Sequence, residues 1–440
     1  MGTWLREEWL ERPLSGWSCA AGWLTSTIIF VGLTQLFGGP TQYDAIQTIY
    51  STWAIAHGHF ACSYPKWDWN GAPLVAPIYP LLAGSIAAVA RIGHQVPFPS
   101  IAQLGPHCSN VVADMFRWSV QSGAIPPTIR VSYVSWVILL AGVVAFLRAS
   151  GRGRCGWEPT AAVLVACLPP AFMCIQEYLH PEDLVAVGLA LGGLACVRVS
   201  SWTWAGALIG LACISQQFAL LIAIPLMIIA PPARRLRYVL GAAGSVALII
   251  LPLALITSGR VLRAALLGSG SSLGYGGTVL REVHLSGAPL FGISRILPIA
   301  LAGILAVWAL QRLGAAVTEP IALLSLMATS LCFRLVFEQN LLGYYFMAVA
   351  VLLVLLDVTA GRIRIGLVAW LGLLAFAFLR VSPTGWPTPR VAPGWIWQIV
   401  LVSSALALAS IPLYKRAKGT LGRGSGNSKT SSIGAESPPC

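Results

Sequence analysis

The chain has 440 residues, of which 57% are hydrophobic and only 10% are charged, and its mean hydropathy is +0.76. Because a soluble protein carries about 25% charged residues, this composition excludes an ordinary soluble domain. The net charge of +13 does not indicate nucleic-acid binding, since the arginines lie mainly in short segments between apolar runs, as the positive-inside rule predicts for cytoplasmic loops.

Apolar runs of about 18–22 residues recur along the chain, and each is long enough to cross a bilayer. The first run, 18–38, lacks a small-residue cleavage site and is predicted to be a retained span rather than a signal peptide. The sequence therefore predicts an all-α polytopic membrane protein. Further spans are predicted at 129–148, 158–175, 183–199, 237–257, 290–311, 318–336, 341–358, 363–381 and 393–413. The predicted domains are a membrane domain, 1–414, and a disordered cytoplasmic tail, 415–440.

The apolar stretch 203–231 needs a separate interpretation. The arginine clusters at Arg198 and Arg234 are both predicted to be cytoplasmic, so the stretch between them must cross an even number of times. At about 1.5 Å per residue it is too short for two full helical spans. We predict a broken hairpin with Ser215, Gln216 and Gln217 at its outer apex; one long tilted helix is the alternative.

A large first extracytoplasmic loop, 39–128, follows the first span. Counting the apolar segment 74–92 as a crossing would move the next arginine cluster to the outside, and Pro73, Pro77 and Pro80 weaken a regular helix there. We predict a re-entrant or surface-lying helix, with a full crossing as the alternative. The total is then about 12 transmembrane helices, with both termini inside.

Two of the ten cysteines, Cys62 and Cys108, fall in this loop. An extracytoplasmic loop would allow them to form a disulfide, and two unrelated thiols are the alternative.

Two acidic groups are predicted to lie at the outer face. Asp44 follows the first span, and Glu182 with Asp183 opens the span at 183–199. Acids this close to a bilayer usually have a function. Transfer of a sugar from a lipid phosphate would need a carboxylate to accept the proton of the attacking hydroxyl and cations to stabilise the departing phosphate.

Several segments carry a family resemblance. The run Tyr43-Asp44, Tyr50, Trp53, His57-Gly58-His59, Tyr64-Pro65 and Pro77-Ile78-Tyr79-Pro80 resembles the first outer loop of GT-C glycosyltransferases, polytopic enzymes that use polyprenyl-phosphate-linked sugars. The segment 180–183 is similar to the family's second acidic motif. The segment 205–217 resembles a motif in which many members have Lys where this chain has Gln216. The segment 333–345 resembles actinobacterial mannosyltransferase-like members.

The resemblance implies roles for individual residues. Asp44 is expected to be the general base. The residues expected to bind substrate or donor are Tyr43, His180, Glu182, Asp183, Gln216, Gln217, Arg334, Arg117, Arg281 and Tyr344. No protein metal site or cofactor is predicted, although the resemblance leaves a divalent metal ion open.

The function implied is that of an inverting hexosyl- or pentosyltransferase of the plasma membrane, with an extracytoplasmic active site. Its partners would be a polyprenyl-phosphate-linked sugar donor, a lipid or glycan acceptor and membrane lipids, without nucleic acid. Two rival classes stay open. One is a secondary transporter or lipid flippase, although the sequence lacks the internal repeats usual for transporters. The other is a catalytically inactive scaffold with the same fold.

Each residue also has a purely structural interpretation. Asp44 is a preferred helix N-cap. Glu182 and Asp183 would interact favourably with the dipole of the helix that they open. Arg334, near a span end, could place its charged head at the membrane surface.

Overall fold

The structure is a computed structural model that describes residues 10–36, 44–64, 76–99, 118, 121–176, 179–262, 278–283, 292–338, 341–378 and 394–423. Across these residues the fold is built from helices. Five helices are long and apolar enough to cross a membrane, and a bent pair of helices makes a sixth. The predicted class, an all-α membrane protein, is therefore confirmed.

The helices are numbered here in chain order. In the first part of the chain they are α1 (Gly16–Leu36), α2 (Asp44–Ala56), α3 (Ile78–Ala90), α4 (Ile125–Ala149), α5 (Trp157–Ala166), α6 (Pro169–Gln176), α7 (Pro181–Arg198) and α8 (Trp202–Ser215). In the second part they are α9 (Leu220–Ile229), α10 (Pro232–Ile256), α11 (Leu297–Leu313), α12 (Pro320–Val336), α13 (Met347–Thr359), α14 (Ile365–Phe378) and α15 (Gly394–Arg423).

Two of these bounds differ from the predicted spans. The predicted span 158–175 is the α5–α6 pair, which bends by 56°. Its break directly precedes Pro169 and Pro170, whose rings and missing N–H groups interrupt helical hydrogen bonding. Helix α15 continues to Arg423, so the segment predicted to be a disordered tail from 415 begins as helix.

Arg148 and Arg198 lie near helix ends on the same side of the bundle, which we call the basic end. Arg148, near the end of α4, binds the fully buried Glu158 of α5, with Nη2 3.1 Å from Oε1. Arg198, at the end of α7, donates to the carbonyl oxygen of Thr318 just before α12, at 2.8 Å. Contacts between α1 and α4, between α14 and α15 and between α12 and α15 show that each of these pairs is antiparallel, and we call the end opposite the basic end the His180 end.

Helices α8 and α9 form the predicted broken hairpin. Arg234 Nη1 donates to the carbonyl oxygen of Ser200 at 3.1 Å, so the stretch leaves the basic end and returns to it. Helices α8 and α10 pack closely, since Gly206 faces Tyr238 and Gly210 faces Ser245. Residue numbers rise together along the two helices, so α8 and α10 run parallel. Two parallel helices joined by α9 require α9 to run the other way. One long tilted helix is therefore excluded.

Glycines allow α8 and α10 to pack with their backbones close together. A Cβ atom at Gly206 would overlap the carbonyl oxygen of Tyr238, whereas a Cβ at Gly244 of α10 would meet nothing within 4 Å. We expect Gly206→Ala to lower the free energy of unfolding by roughly 1–3 kcal/mol, the usual cost of overpacking. Gly244→Ala, the matched control, should raise it by roughly 0.5–1 kcal/mol. Thermal unfolding of the purified protein in detergent measures both, and equal effects would contradict the packing described.

Helices α2 and α3 lie across the His180 end instead of running along the bundle. The start of α3, at Ile78, packs with Ile214 and Leu253 near the ends of α8 and α10. Just beyond the other end of α3, Gly93 faces Pro127 at the start of α4. Both ends of α3 thus contact the same end of the bundle, an arrangement that either a re-entrant or a surface-lying helix would have.

The loop after α2 is held down by side chains from the bundle. Arg260, just after α10, donates to the carbonyl oxygens of Tyr64 at 2.6 Å and Ala61 at 2.8 Å. Cys62 takes part in a disulfide, and every other cysteine in the described part of the chain is free. Its predicted partner, Cys108, lies outside the described residues.

Candidate functional site

The start of α7 carries two buried acids. His180 occupies the N-cap position, Pro181 starts the helix, and Glu182 and Asp183 follow in the first turn. Proline suits the first helical position, and acids there interact favourably with the helix dipole. However, the exposed fractions are 0% for Glu182 and 4% for Asp183. Burying a carboxylate is costly unless it is paired, so a structural helix cap alone does not account for both acids.

His180 connects the first acid to α13. Its Nδ1 lies 2.8 Å from Oε1 of Glu182. The imidazole ring stacks on Tyr344, with centroids 4.6 Å apart and an interplanar angle of 15°. Among the described residues, the other carboxylate oxygen of Glu182, Oε2, is buried and has no hydrogen-bond partner. Such an atom in a folded protein calls for an explanation, and a missing ligand or water is one.

Arg334, near the end of α12, is the central cation of the site. Its Nε lies 3.0 Å from Oε2 of Glu338, and Nη1 of Arg295 lies 3.8 Å from the same oxygen. The guanidinium also lies over the rings of Tyr345, at 4.7 Å, and Phe218, at 5.4 Å. Cation–π contacts of this kind hold the group in one orientation.

Electrostatic interaction connects the two halves of the site. Arg334 and Asp183 interact, so the acids of α7 and the cation of α12 belong to one cluster. The apex of the α8–α9 hairpin reaches it through Phe218, which follows Gln216 and Gln217. The backbone of Gln216 is extended, with φ −156° and ψ 133°, and this breaks the hairpin at the predicted position.

The first loop contributes two buried tyrosines beside Glu182. The Tyr79 hydroxyl is hydrogen-bonded to Ser132 of α4 at 2.6 Å. The Tyr64 hydroxyl is buried and, within the described ranges, has no hydrogen-bond partner. Burial raises the pKa of the Tyr64 phenol, and the Glu182 carboxylate raises it further. Tyr79 packs in one buried cluster with Leu179 and Val185, which places the loop next to the start of α7.

The structure thus brings together seven of the residues predicted from the sequence. The cluster or its immediate border contains His180, Glu182, Asp183, Gln216, Gln217, Arg334 and Tyr344.

The remaining predicted residues are only partly described. Asp44 is the first residue of α2, at the His180 end, but its side chain lies outside the described part of the structure. The same is true of the side chain of Arg281, while Tyr43 and Arg117 lie entirely outside.

The helical turn Val279–Glu282, which carries Arg281, is fixed next to α12. The backbone N–H of Val279 donates to Oε1 of Gln398 at 2.9 Å. Nε2 of Gln398 donates to the carbonyl oxygen of Leu335 at 2.7 Å, one residue beyond Arg334. Gln398 is 2% exposed, so this buried amide connects the turn to the end of α12 that carries the central cation.

Sequence reasoning missed several contributors. Arg295 was placed inside a predicted span, 290–311, and only the fold brings it to Glu338. The pairing of Glu338 with Arg334 had a sequence signal, since residues four apart lie on one helix face. Neither Tyr64 nor Tyr345 was assigned a role.

The described residues contain no evident metal-binding site. Among the residues that the structure describes, no group of three or more His, Cys, Asp or Glu side chains could hold a metal ion. The divalent ion that the resemblance leaves open would therefore need residues beyond these or oxygens of a substrate.

Chemically, the site combines buried carboxylates, an imidazole and two arginines beneath the helices of the first loop. Carboxylates and imidazoles accept protons, and arginines bind phosphate. No protein-family model, no characterised protein and no solved structure matches the chain. The functional assignment therefore depends on these residues and their geometry.

Proposed function

We propose that the chain is a plasma-membrane glycosyltransferase of the GT-C type. It would move a sugar from a polyprenyl-phosphate donor to a cell-envelope glycolipid or polysaccharide acceptor on the outer face, with inversion at the anomeric carbon. The observation that carries the proposal is the cluster of buried acids and partly buried arginines at the His180 end, beneath the first-loop helices.

The helix directions support the orientation. In this proposal α1, α4, the α5–α6 pair and each helix from α7 to α15 cross the membrane, which gives about 12 crossings, as predicted from the sequence. The arginine-rich end fits the cytoplasmic side under the positive-inside rule. The His180 end would then face outward. A polyprenyl-linked sugar in the outer leaflet would reach the site beside α2 and α3.

Each group has an assigned task in this proposal. Asp44 accepts the proton of the attacking hydroxyl as that oxygen forms a bond to the anomeric carbon of the donor sugar. The bond from this carbon to the phosphate oxygen breaks, and the electron pair leaves with the phosphate. Arg334 stabilises the growing phosphate charge, assisted by Arg281 or Arg117. A phosphate leaving group needs no protonation, so one base suffices.

A transfer assay tests the proposal. Purified protein would be incubated with radiolabelled polyprenyl-phosphate mannose, glucose or arabinose and with a membrane glycolipid extract. We expect label to appear in the glycolipid fraction with at least one donor. Mock-purified membranes provide the background, and no transfer from any donor would contradict the proposal.

A proton-coupled transporter or flippase is the second candidate, favoured by the complete burial of Glu182. Intramembrane acids are typical of proton pathways. The two candidates differ in a measurable way: a transporter reconstituted in liposomes would couple a pH gradient to solute or lipid movement without forming a new glycosidic bond.

A further inference from the structure

Near the start of α7, two buried polar atoms have no hydrogen-bond partner among the residues that the structure describes. They are Oε2 of Glu182 and the hydroxyl oxygen of Tyr64. The exposed fraction of Tyr64 is 1% and that of Glu182 is 0%. Leaving a buried polar atom unsatisfied destabilises a protein, because the atom loses its hydrogen bonds to water. Two such atoms in the packed region between the first loop and the start of α7 point to a ligand.

The packing of the first loop places these two atoms in one neighbourhood. Tyr64 belongs to the same buried cluster as Ile78, at the start of α3. The next residue, Tyr79, packs in a cluster with Leu179 and Val185, which flank Glu182 on either side. The electrostatic effect of Glu182 on both phenols agrees with this arrangement.

The hydrogen-bonding capacity of the pair defines the ligand class. An ionised carboxylate oxygen can only accept hydrogen bonds, whereas a phenol can donate and accept. An anionic group is disfavoured beside Glu182 and Asp183, and the arginines that suit phosphate lie on the α12 side of the cluster. A neutral hydroxyl group, which can donate to the carboxylate and pair with the phenol, fits both atoms.

We propose that Tyr64 and Glu182 form a subsite that hydrogen-bonds a hydroxyl group of the sugar acceptor. This inference rests on the proposed function in taking the ligand to be an acceptor sugar. The donor phosphate then binds on the Arg334 side, and the acceptor lies between the first loop and α7. Glu182 accepts a hydrogen bond from an acceptor hydroxyl other than the one that attacks the donor, and His180 fixes the Glu182 carboxylate through Oε1.

Binding of n-octyl glycosides of mannose, glucose and galactose, without any donor, tests the subsite separately from sugar transfer. Wild-type protein would be purified in a detergent without a sugar headgroup, and dissociation constants would be measured by ligand-observed NMR. We expect at least one glycoside to bind. Tyr64→Phe should raise its Kd about 3–10-fold and Glu182→Gln about 10–100-fold, as expected for loss of a neutral and a charged hydrogen bond.

Thermal unfolding separates this role from a structural one. If no protein group bonds the Tyr64 hydroxyl, Tyr64→Phe should leave Tm within about 1 °C of wild type. The matched control is Tyr238→Phe in α10, whose hydroxyl donates to the carbonyl oxygen of Ala223 at 3.1 Å. This control should lower Tm by about 2 °C and leave glycoside binding unchanged.

Three results would overturn the subsite. One is no binding of any glycoside by wild type, and another is an unchanged Kd in both variants. The third is a fall in Tm for Tyr64→Phe as large as that for Tyr238→Phe. Failure of the proposed function looks different: the glycoside would bind as expected, yet no donor would transfer its sugar.

Discussion

Asp44→Asn should abolish sugar transfer while the helical bundle stays intact. The amide has nearly the shape of the carboxylate but cannot accept the proton of the acceptor hydroxyl. Loss of general-base catalysis typically lowers kcat about 10²–10⁴-fold. The change is conservative at the first position of α2, because Asn is as good an N-cap as Asp. Initial rates in membranes with equal amounts of inserted protein would measure the effect.

The control for this change is Asp68→Asn, which alters another acid of the predicted first outer loop and should retain activity. Equal transfer by wild type and Asp44→Asn would refute Asp44 as the base and direct attention to Glu182 and Asp183. An unfolded Asp44→Asn protein, detected as a collapse of Tm, would assign Asp44 a structural role instead.

Arg334→Gln should damage both stability and transfer. The arginine side chain is only 16% exposed, pairs with Glu338 and interacts with Asp183, so its removal leaves buried carboxylates short of positive charge. Breaking a buried ion pair from one side costs roughly 3 kcal/mol. Thermal unfolding and transfer rates would measure the two losses, and a variant with wild-type Tm would contradict the ion network described.

Arg334→Lys separates the phosphate-binding role from the structural one. Lysine keeps the charge, but it lacks the planar fork that binds phosphate with two hydrogen bonds and lies over aromatic rings. We expect most of the stability to return while KM for the donor stays about 10-fold above wild type. Full recovery of both properties would mean that charge alone matters at this position.

Sequence reasoning could predict features set by local pattern and charge. The arginines on either side of 203–231 were enough to predict a broken hairpin, because their placement on one side of the membrane requires an even number of crossings. Pro169 and Pro170 also indicate the bend between α5 and α6. The sequence analysis predicted one span there because the whole segment is apolar. The helical continuation of α15 to Arg423 was missed because the low-complexity Gly/Ser/Lys composition of the tail predicts disorder.

The composition of the site was less predictable. The sequence identifies the segments containing Asp183 and Arg334, but the electrostatic interaction between these two residues depends on the directions of α7 and α12 in the bundle. The contact of Arg295 with Glu338 depends in the same way on where α11 begins. The hydrogen-bond status of Tyr64 and Glu182 is a property of packing, which no local pattern encodes.

Sealed membrane vesicles of opposite orientation would test the central claim most directly. A water-soluble, short-chain polyprenyl-phosphate mannose, glucose or arabinose cannot cross the bilayer, so it reaches only the face exposed to the medium. We predict sugar transfer to endogenous glycolipid in right-side-out vesicles and little or none in inverted ones. Transfer only in inverted vesicles would place the site at the cytoplasmic face and contradict the account, as would the absence of transfer in both preparations.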